Sequence, residues 1–346
     1  MAKVLLDGRC IQKGKFDGAQ RYAEEIISEL DKIVPDGRYD ILMYKGEEEL
    51  LELTRIRKVL IEKKHVAERK IINRYLHHNK ALYVGFANEM VKSAKSIVTI
   101  HDIYAFYGVY NNTKCYYIKK KLKAIMNALF AKRIVTVSQY SKSTMIEKLP
   151  VKADRIQVIY NGWQHLIGKT ADYDVLDKYG LSSKIYYLYL GRLVKNKNID
   201  WIFRVADRNP EDVFLIAGSL SNEKFEKYYG INKNIVYVGY VPDEELRALY
   251  QNCKAFLFPS LMEGFGIPPM EALYHGAPII VANTSSLPEI YEDAAHYIDP
   301  YRYDYDLNEL LKEPVADADK ILEKYSWEKS AKEWYELIEK VLGEDE

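Results

Sequence analysis

Short apolar runs alternate with stretches of helical period along nearly the whole chain. In the first half KVLLDG, DILMY, ALYVGF, SIVTI, RIVTV and IQVIY read as short buried strands, continuous apolar blocks of strand length. Between the first two, residues 19–33 line up Tyr22, Ile26, Ile27, Leu30 and Ile33 on one helical face. In the second half IYYLYLG, VFLIAG, IVYVG, AFLFPS and PIIVAN take the strand role, and Pro242-Asp243-Glu244-Glu245 opens a helix with acidic residues in its first turn. Strands and helices in alternation predict an α/β fold of parallel, doubly wound Rossmann-like sheets. No fixed period recurs, which sets solenoids and propellers aside. Residues 161–183 break the rhythm with turn formers. The expected division is therefore a first domain over 1–165, a linker over 166–183, a second domain over 184–325 and a C-terminal helix over 326–346 that crosses back to the first. Ligands of such sheets bind outside the carboxyl ends of the strands, and two such domains are expected to face a central cleft.

Composition narrows the class. A chain of 346 residues suits two domains, and 48% apolar with 29% charged residues excludes wholesale disorder. No apolar stretch approaches the ~20 residues of a membrane-spanning helix. The start, MAKVLLDGRC, meets charge at Asp7 and Arg9, so a secretory leader is not expected. Cys10, Cys115 and Cys253 are odd in number and far apart, fitting a reducing cytosol and offering no zinc spacing. The 30 tyrosines suggest compositional bias or a carbohydrate-stacking surface.

The net charge of zero hides a split. Residues 1–165 hold 30 Lys and Arg against 18 Asp and Glu, so the first half carries +12 and the second −12. Basic charge concentrates in 54–80 and in 114–133, where KCYYIKKKLKAIMNALFAKR places Ile118, Leu122, Ile125, Met126, Leu129 and Phe130 at helical spacing. An ordinary surface helix with a solvated lysine face accounts for charge of this kind. A basic amphipathic helix also suits an anionic membrane surface. Nucleic acid ranks behind both, because no recognisable binding module accompanies the charge.

Two strings carry chemistry. In PSLMEGFGIPPMEALYHGAPIIVAN (259–283) a buried strand runs into Gly264 and Gly266, a helix starts at Pro268-Pro269, and Gly276 ends it. Glycines ahead of a helix N-terminus leave backbone N–H groups for an anion, and Glu263 and Glu271 bracket that place. In YLYLGRLVKNKNIDWIF a strand ends at Gly191, and Arg192, Lys195 and Lys197 follow in the loop before a helix, a disposition suited to clamping a diphosphate.

These strings resemble the retaining, nucleotide-sugar-dependent glycosyltransferases of family 4, which have the GT-B fold. Glu263 and Glu271 match the family's Glu-x7-Glu pair, and Gly191, Arg192, Lys197 and Asn198 match its diphosphate clamp. SSLPEI at 285–290, His101-Asp102, TVSQYSK at 136–142 and VIYNG at 158–162 also resemble it. The family's Thr-Gly-Ile-Gly-Arg-Tyr loop appears as FDGAQRY, which keeps Gly18, Arg21 and Tyr22 but has Gln20 in place of the second glycine. The resemblance implies that Arg192 and Lys197 stabilise a leaving diphosphate. It implies that Glu271 holds the ribose hydroxyls, and that Glu263 and the backbone of Gly264, Phe265, Gly266 and Ile267 hold sugar and phosphate. It also implies that Gly18 and Gly191 belong to the donor-binding set and that His101 sits near the reacting sugar. It implies no metal, no other cofactor and no covalent nucleophile, with a nucleotide sugar as donor and a glycan or lipid-linked glycan as acceptor. GDP-mannose is preferred among donors, UDP-hexoses and dTDP-rhamnose remaining open. The expected setting is bacterial-type surface polysaccharide synthesis in the cytoplasm, peripheral on the inner face of the membrane. Three Asp-x-Asp strings, Asp172–Asp174, Asp304–Asp306 and Asp317–Asp319, read as solvated surface rather than metal ligands. His77-His78 likewise has no partner at ligand spacing. A nucleotide-sugar epimerase on the same fold and a non-catalytic nucleotide-sugar or glycan-binding module are the alternatives. A dinucleotide oxidoreductase is weaker, since no G-x-G-x-x-G follows an early strand.

Overall fold

The computed structural model describes residues 3–14, 17–63, 65–89, 95–108, 114–218, 220, 222–230 and 232–344. They form two units. The first comprises Met1–Tyr107, Thr113–Gly162 and Tyr325–Glu346, and the second is built on Trp163–Lys324.

The first unit holds a seven-stranded sheet of β1 (Val4–Asp7), β2 (Tyr39–Tyr44), β3 (Arg57–Ile61), β4 (Leu82–Gly85), β5 (Ser96–Thr99), β6 (Arg133–Thr136) and β7 (Ile156–Val158). All pair in parallel, in the order β3-β2-β1-β4-β5-β6-β7. Six of these are the apolar runs of the sequence. The seventh, β3, lies at the sheet edge with Arg57 and Leu60 exposed, which is why it lacks a buried-strand signature. Its charges suit an unpaired edge.

Helix Gly18–Ile33 buries Tyr22, Ala23, Ile26, Ile27 and Leu30, the stripe its period predicts except for Ile33, which is exposed at the helix end, and Asp17 caps it by accepting from Gln20 N. The C-terminal helix Trp327–Gly343 packs against it and buries Trp327, Ala331, Trp334, Ile338 and Val341. Trp334 Nε1 donates to the Tyr22 hydroxyl at 2.7 Å, Arg38 pairs with Glu339 at 2.9 Å, and Arg133 pairs with Glu344 at 2.6 Å. The last helix thus belongs to the first unit's core, where a fully buried large side chain contributes roughly 1.5–3 kcal/mol.

Helix Lys114–Phe130 forms where the sequence places it but leaves most of its apolar stripe exposed, with Ile125 packing on the core. Ile118 and Leu122 are each 56% exposed, Leu129 51% and Phe130 44%. Tyr117, Asn127 and Ala128 are the buried positions, with the Asn127 amide donating to Glu89 O at 3.0 Å. Helical spacing identified a coherent apolar face without saying which way it points.

The second unit holds a six-stranded parallel sheet of β8 (Tyr186–Leu190), β9 (Val213–Ala217), β10 (Ile235–Gly239), β11 (Ala255–Phe258), β12 (Ile279–Ala282) and β13 (His296–Ile298), in the order β10-β9-β8-β11-β12-β13. Helix Ile199–Arg208 buries Ile199, Ile202, Val205 and Ala206. Residues 166–183 lie within this unit, where helix Asp174–Lys178 packs on helix Asp243–Asn252. Several tyrosines act as struts: Tyr186 donates to Leu249 O at 2.8 Å, Tyr237 to Leu220 O at 2.7 Å and Tyr291 to Gly266 O. In each the ring packs inside the unit while its hydroxyl satisfies a backbone carbonyl.

Candidate functional site

In the second sheet the strand order reverses between β8 and β11, the switch point where doubly wound sheets bind ligands. The two loops singled out in the sequence leave from the carboxyl ends of these two strands. They are tied together by Leu261 N donating to Asn196 O at 2.8 Å. The Asn198 amide adds bonds to Pro259 O and Pro300 O at 3.1 and 3.0 Å. Asn198 adopts a left-handed conformation, φ 55°, which asparagine tolerates better than most residues. Gly191 is required sterically, because a Cβ there would sit 2.8 Å from the Tyr189 hydroxyl.

Arg192 is exposed. Lys197 is held, its Nζ lying 2.5 Å from Glu263 Oε1 and 5.1 Å from the centre of the Phe258 ring. Two residues expected to contact different parts of a ligand are therefore joined to each other. Ser285 Oγ accepts from Glu263 N at 3.1 Å, and Ser286 Oγ donates to Glu263 O at 3.2 Å, so the SSLPEI segment braces the glycine loop. Gly266, φ 92°, is the N-cap of helix Ile267–Tyr274, and a Cβ on it would meet Leu287 at 2.8 Å. Pro268 and Pro269 have no N–H, so this helix start offers an anion only the donors of Gly266 and Ile267, with Gly264 and Phe265 just upstream. Among the described residues, the N–H groups of Gly264, Gly266 and Ile267 donate to no acceptor.

Glu271 lies on the same helix. Its Oε1 accepts from His165 Nε2 and its Oε2 from the Tyr250 hydroxyl, both at 3.0 Å. Neither partner was marked by the sequence: they lie 106 and 21 residues away, and no spacing rule links them to the helix.

His101 and Gly18 belong to the first unit. His101 Nε2 lies 2.8 Å from Phe86 O and the ring meets Tyr22 edge-on at 4.9 Å. Burial holds its pKa below the ordinary value, with the Phe86 bond opposing. Nε2–H donating to that carbonyl fixes the tautomer and leaves Nδ1 as an acceptor. Gly18 is the first residue of its helix. Gln20, standing where the family has glycine, clasps Gln12 through both ends of its amide at 3.3 and 3.2 Å, closing the preceding loop.

The Asp-x-Asp strings serve their own backbone. Asp172 accepts from Asp174 N, Asp306 caps helix Leu307–Leu310, and Asp317 accepts from Asp319 N. The basic stretch 54–80 is partly committed as well, with Arg57 on Asp40 and Lys58 on Glu48 O and Leu51 O. On helix Lys114–Phe130, Lys120 lies over the rings of Tyr104 and Tyr116, and Lys121 over Phe106. No helix among the described residues is long and apolar enough to cross a membrane.

Residues 176–334 match the family described as glycosyl transferases group 1, and residues 50–164 match glycosyltransferase family 4. The O-antigen chain mannosyltransferase B of Escherichia coli is 30% identical over 247 residues, covering 65% of this chain and 61% of that protein. The serotype-specific mannosyltransferase WbdA of Escherichia coli is 31% identical over 187 residues, covering 47% of this chain and 22% of its own length. The chain thus spans less than two thirds of either relative. Among solved structures, a sucrose-phosphate synthase from Thermosynechococcus elongatus superposes with a TM-score of 0.77 at 14% identity, covering 99% of this chain and 100% of that one.

Proposed function

The chain belongs to the family 4 glycosyltransferases, with their GT-B architecture of two Rossmann-like domains, and on that premise we propose that it moves a hexose from a nucleoside-diphosphate sugar to an acceptor hydroxyl with retention of configuration. The observation that carries this reading is the meeting of the Gly191–Asn198 loop with the Glu263–Ile267 loop at the switch point of the second sheet. Exposed Arg192 and the undonated N–H groups of Gly264, Gly266 and Ile267 supply anion-binding groups for a diphosphate. Lys197 exchanges its Glu263 partner for phosphate, which neutralises the leaving group and frees Glu263 to accept from the hydroxyls of the transferred sugar. These cations supply the charge stabilisation a metal gives elsewhere. Glu271 takes the ribose. His101 is assigned to the reacting sugar from the family resemblance.

Mannosyltransferase relatives favour GDP-mannose as donor, and their O-antigen association favours a glycan of a bacterial surface polysaccharide as acceptor. A lipid-linked acceptor suits the outward apolar stripe of helix Lys114–Phe130, flanked by Lys119, Lys121 and Lys123. The enzyme then acts on the cytoplasmic face of a membrane.

The test is release of nucleoside diphosphate from GDP-mannose, UDP-glucose and dTDP-rhamnose in turn. Transfer or slow hydrolysis frees the nucleotide, whereas epimerisation yields none as a final product and pure binding yields none at all. Arg192→Ala and Glu271→Ala are expected to lower turnover at subsaturating donor by at least tenfold with the fold intact, and EDTA to leave it unchanged. Wild-type turnover in both variants removes the site assignment. Loss on chelation with rescue by Mg²⁺ removes the metal-free mechanism.

A further inference from the structure

A charged cluster outside the donor loops lies in the first unit, where the strand order of its sheet reverses beside β1, the place at which doubly wound sheets take ligands. Asp7 ends β1 and is wholly buried. Its carboxylate accepts from Arg9 N at 3.0 Å, from Arg9 Nε at 2.9 Å, from Arg9 Nη2 and from the Tyr83 hydroxyl. Arg9 Nη1 reaches on to Glu68 Oε2 at 3.1 Å, and the Tyr44 hydroxyl donates to the same oxygen at 3.3 Å. Gly85 ends β4, and a Cβ there would lie 3.3 Å from Glu89 Oε2 and 3.4 Å from the Tyr83 hydroxyl. The bare strand end lets these two oxygens converge. Burial and the Asp7 charge push Glu89 up to about 7, with Lys123 opposing.

What the cluster leaves unmet is of one kind. Glu89 Oε2 accepts from Ala87 N at 2.8 Å, and no other described residue gives this carboxylate a hydrogen bond. Glu68 Oε1 and Asn127 Oδ1 are buried without a partner among the described residues, on side chains of residues 3% and 2% exposed. The Asn127 oxygen belongs to the amide whose Nδ2 donates to Glu89 O at 3.0 Å. All three oxygens are acceptors, so the group that completes the cluster brings donors. Lys123 precedes Asn127 by one turn on helix Lys114–Phe130 and shares its face. Lys123 and Glu89 each shift the other's proton affinity, yet no hydrogen bond or ion pair joins them. A hydroxyl accepts from the one and donates to the other. Asp7, Glu68 and Glu89 together outnumber Arg9 and Lys123, which disfavours an anion.

Resting on the reading that the chain transfers a hexose to an acceptor hydroxyl, we propose that Glu89 and Lys123 bind the acceptor through hydroxyls of a neutral sugar ring, on a floor fixed by Asp7, Arg9, Glu68 and Tyr83. The acceptor class is thereby narrowed to glycans that end in an uncharged sugar. Acceptors that end in a uronic acid or a sugar phosphate are excluded.

NMR titration with the methyl glycosides of mannose, glucose and galactose, and with mannose 6-phosphate and glucuronic acid, tests this. The wild type is expected to bind at least one neutral glycoside about tenfold more tightly than either anionic sugar. Glu89→Ala and Lys123→Met each weaken that binding by about tenfold, the scale of a lost hydrogen bond to a charged group. Affinity for GDP and UDP, measured on the same samples, changes less than about twofold. Lys123 is half-buried, and its variant supplies the comparison should Glu89→Ala fail to fold. Neutral-glycoside binding retained in both variants, or lost in parallel with nucleotide binding, overturns the inference. So does a wild type that binds the anionic sugars equally well, or that binds GDP or UDP but no neutral glycoside; either outcome leaves the transfer reading standing. A wild type that binds neither GDP nor UDP overturns the transfer reading itself.

Discussion

His275 shows how one buried residue records its surroundings. Its ring lies against Tyr250 and Tyr274, and burial together with Arg247 lowers its pKa to about 4, Glu271 opposing. A base whose folded pKa lies below its unfolded value of 6.5 binds more protons when unfolded, so it withdraws stability as pH falls through that interval. Glu89 has the opposite sign. Raised to about 7 by burial and the nearby Asp7, it adds stability as pH falls from 7 towards 4.5. The expected outcome is that His275→Asn, compared with the wild type by urea unfolding at each pH, loses progressively less stability than the wild type between pH 6.5 and 4. Parallel pH profiles for the two proteins contradict it. At this scale the sequence was legible where chemistry is local, as for Gly191, Gly266 and the Glu263–Glu271 spacing. It was silent where partners are remote. Nothing near Glu271 in the chain marks His165 or Tyr250, because those contacts exist only after the helices have packed.

Two helices carry predictions at the next scale. The exposed Ile118, Leu122, Leu129 and Phe130 on helix Lys114–Phe130 add an apolar contribution to the electrostatic one. Wild-type protein is expected to sediment with anionic liposomes at low salt and to be released as salt shortens the Debye length. Neutralising Lys119, Lys120, Lys121 and Lys123 together should abolish the salt-sensitive part. Ile118→Ser with Leu122→Ser should weaken association at every salt concentration, and nucleotide binding should be unaffected in both. A wild type that ignores anionic liposomes makes this a solvated face. The C-terminal helix carries the other prediction. Trp334 donates to Tyr22, Tyr22 meets the His101 ring edge-on, and Phe86, whose carbonyl holds His101, packs on Trp334 at 5.1 Å. Trp334→Phe removes the donor to the buried Tyr22 oxygen, while the phenol keeps its bond with Thr99. The expected cost is roughly 1–3 kcal/mol in urea unfolding, with a displaced His101 ring resonance by NMR; an unmoved resonance contradicts the link. Most of the strands were legible as elements because they are continuous apolar blocks. The edge strand Arg57–Ile61 and the strand His296–Ile298 were not, one being exposed and the other holding Ile298 as its one aliphatic residue.

Both sheets use one plan, a parallel order that reverses beside the first strand of each unit. That plan was readable from alternation alone, because a parallel strand needs a crossover and a crossover of this length is a helix. The charge division of the sequence, basic before residue 165 and acidic after it, follows the same plan, with the exception of the closing helix. Helix Trp327–Gly343 follows the second unit in the chain yet is counted in the first. The Trp334–Tyr22 bond spans 312 residues and the Arg38–Glu339 bond 301. During synthesis at about 5–20 residues per second, the first sheet therefore leaves the ribosome roughly 10–30 s before the helix that covers Tyr22 and Phe86. For that interval it exposes the aromatic surface of Tyr22 and Phe86 that helix Trp327–Gly343 later covers. The second unit, which ends at Lys324, has left the ribosome by then. Docking of helix Trp327–Gly343 accordingly completes the first unit, and the interval before it is when the nascent chain most needs a chaperone.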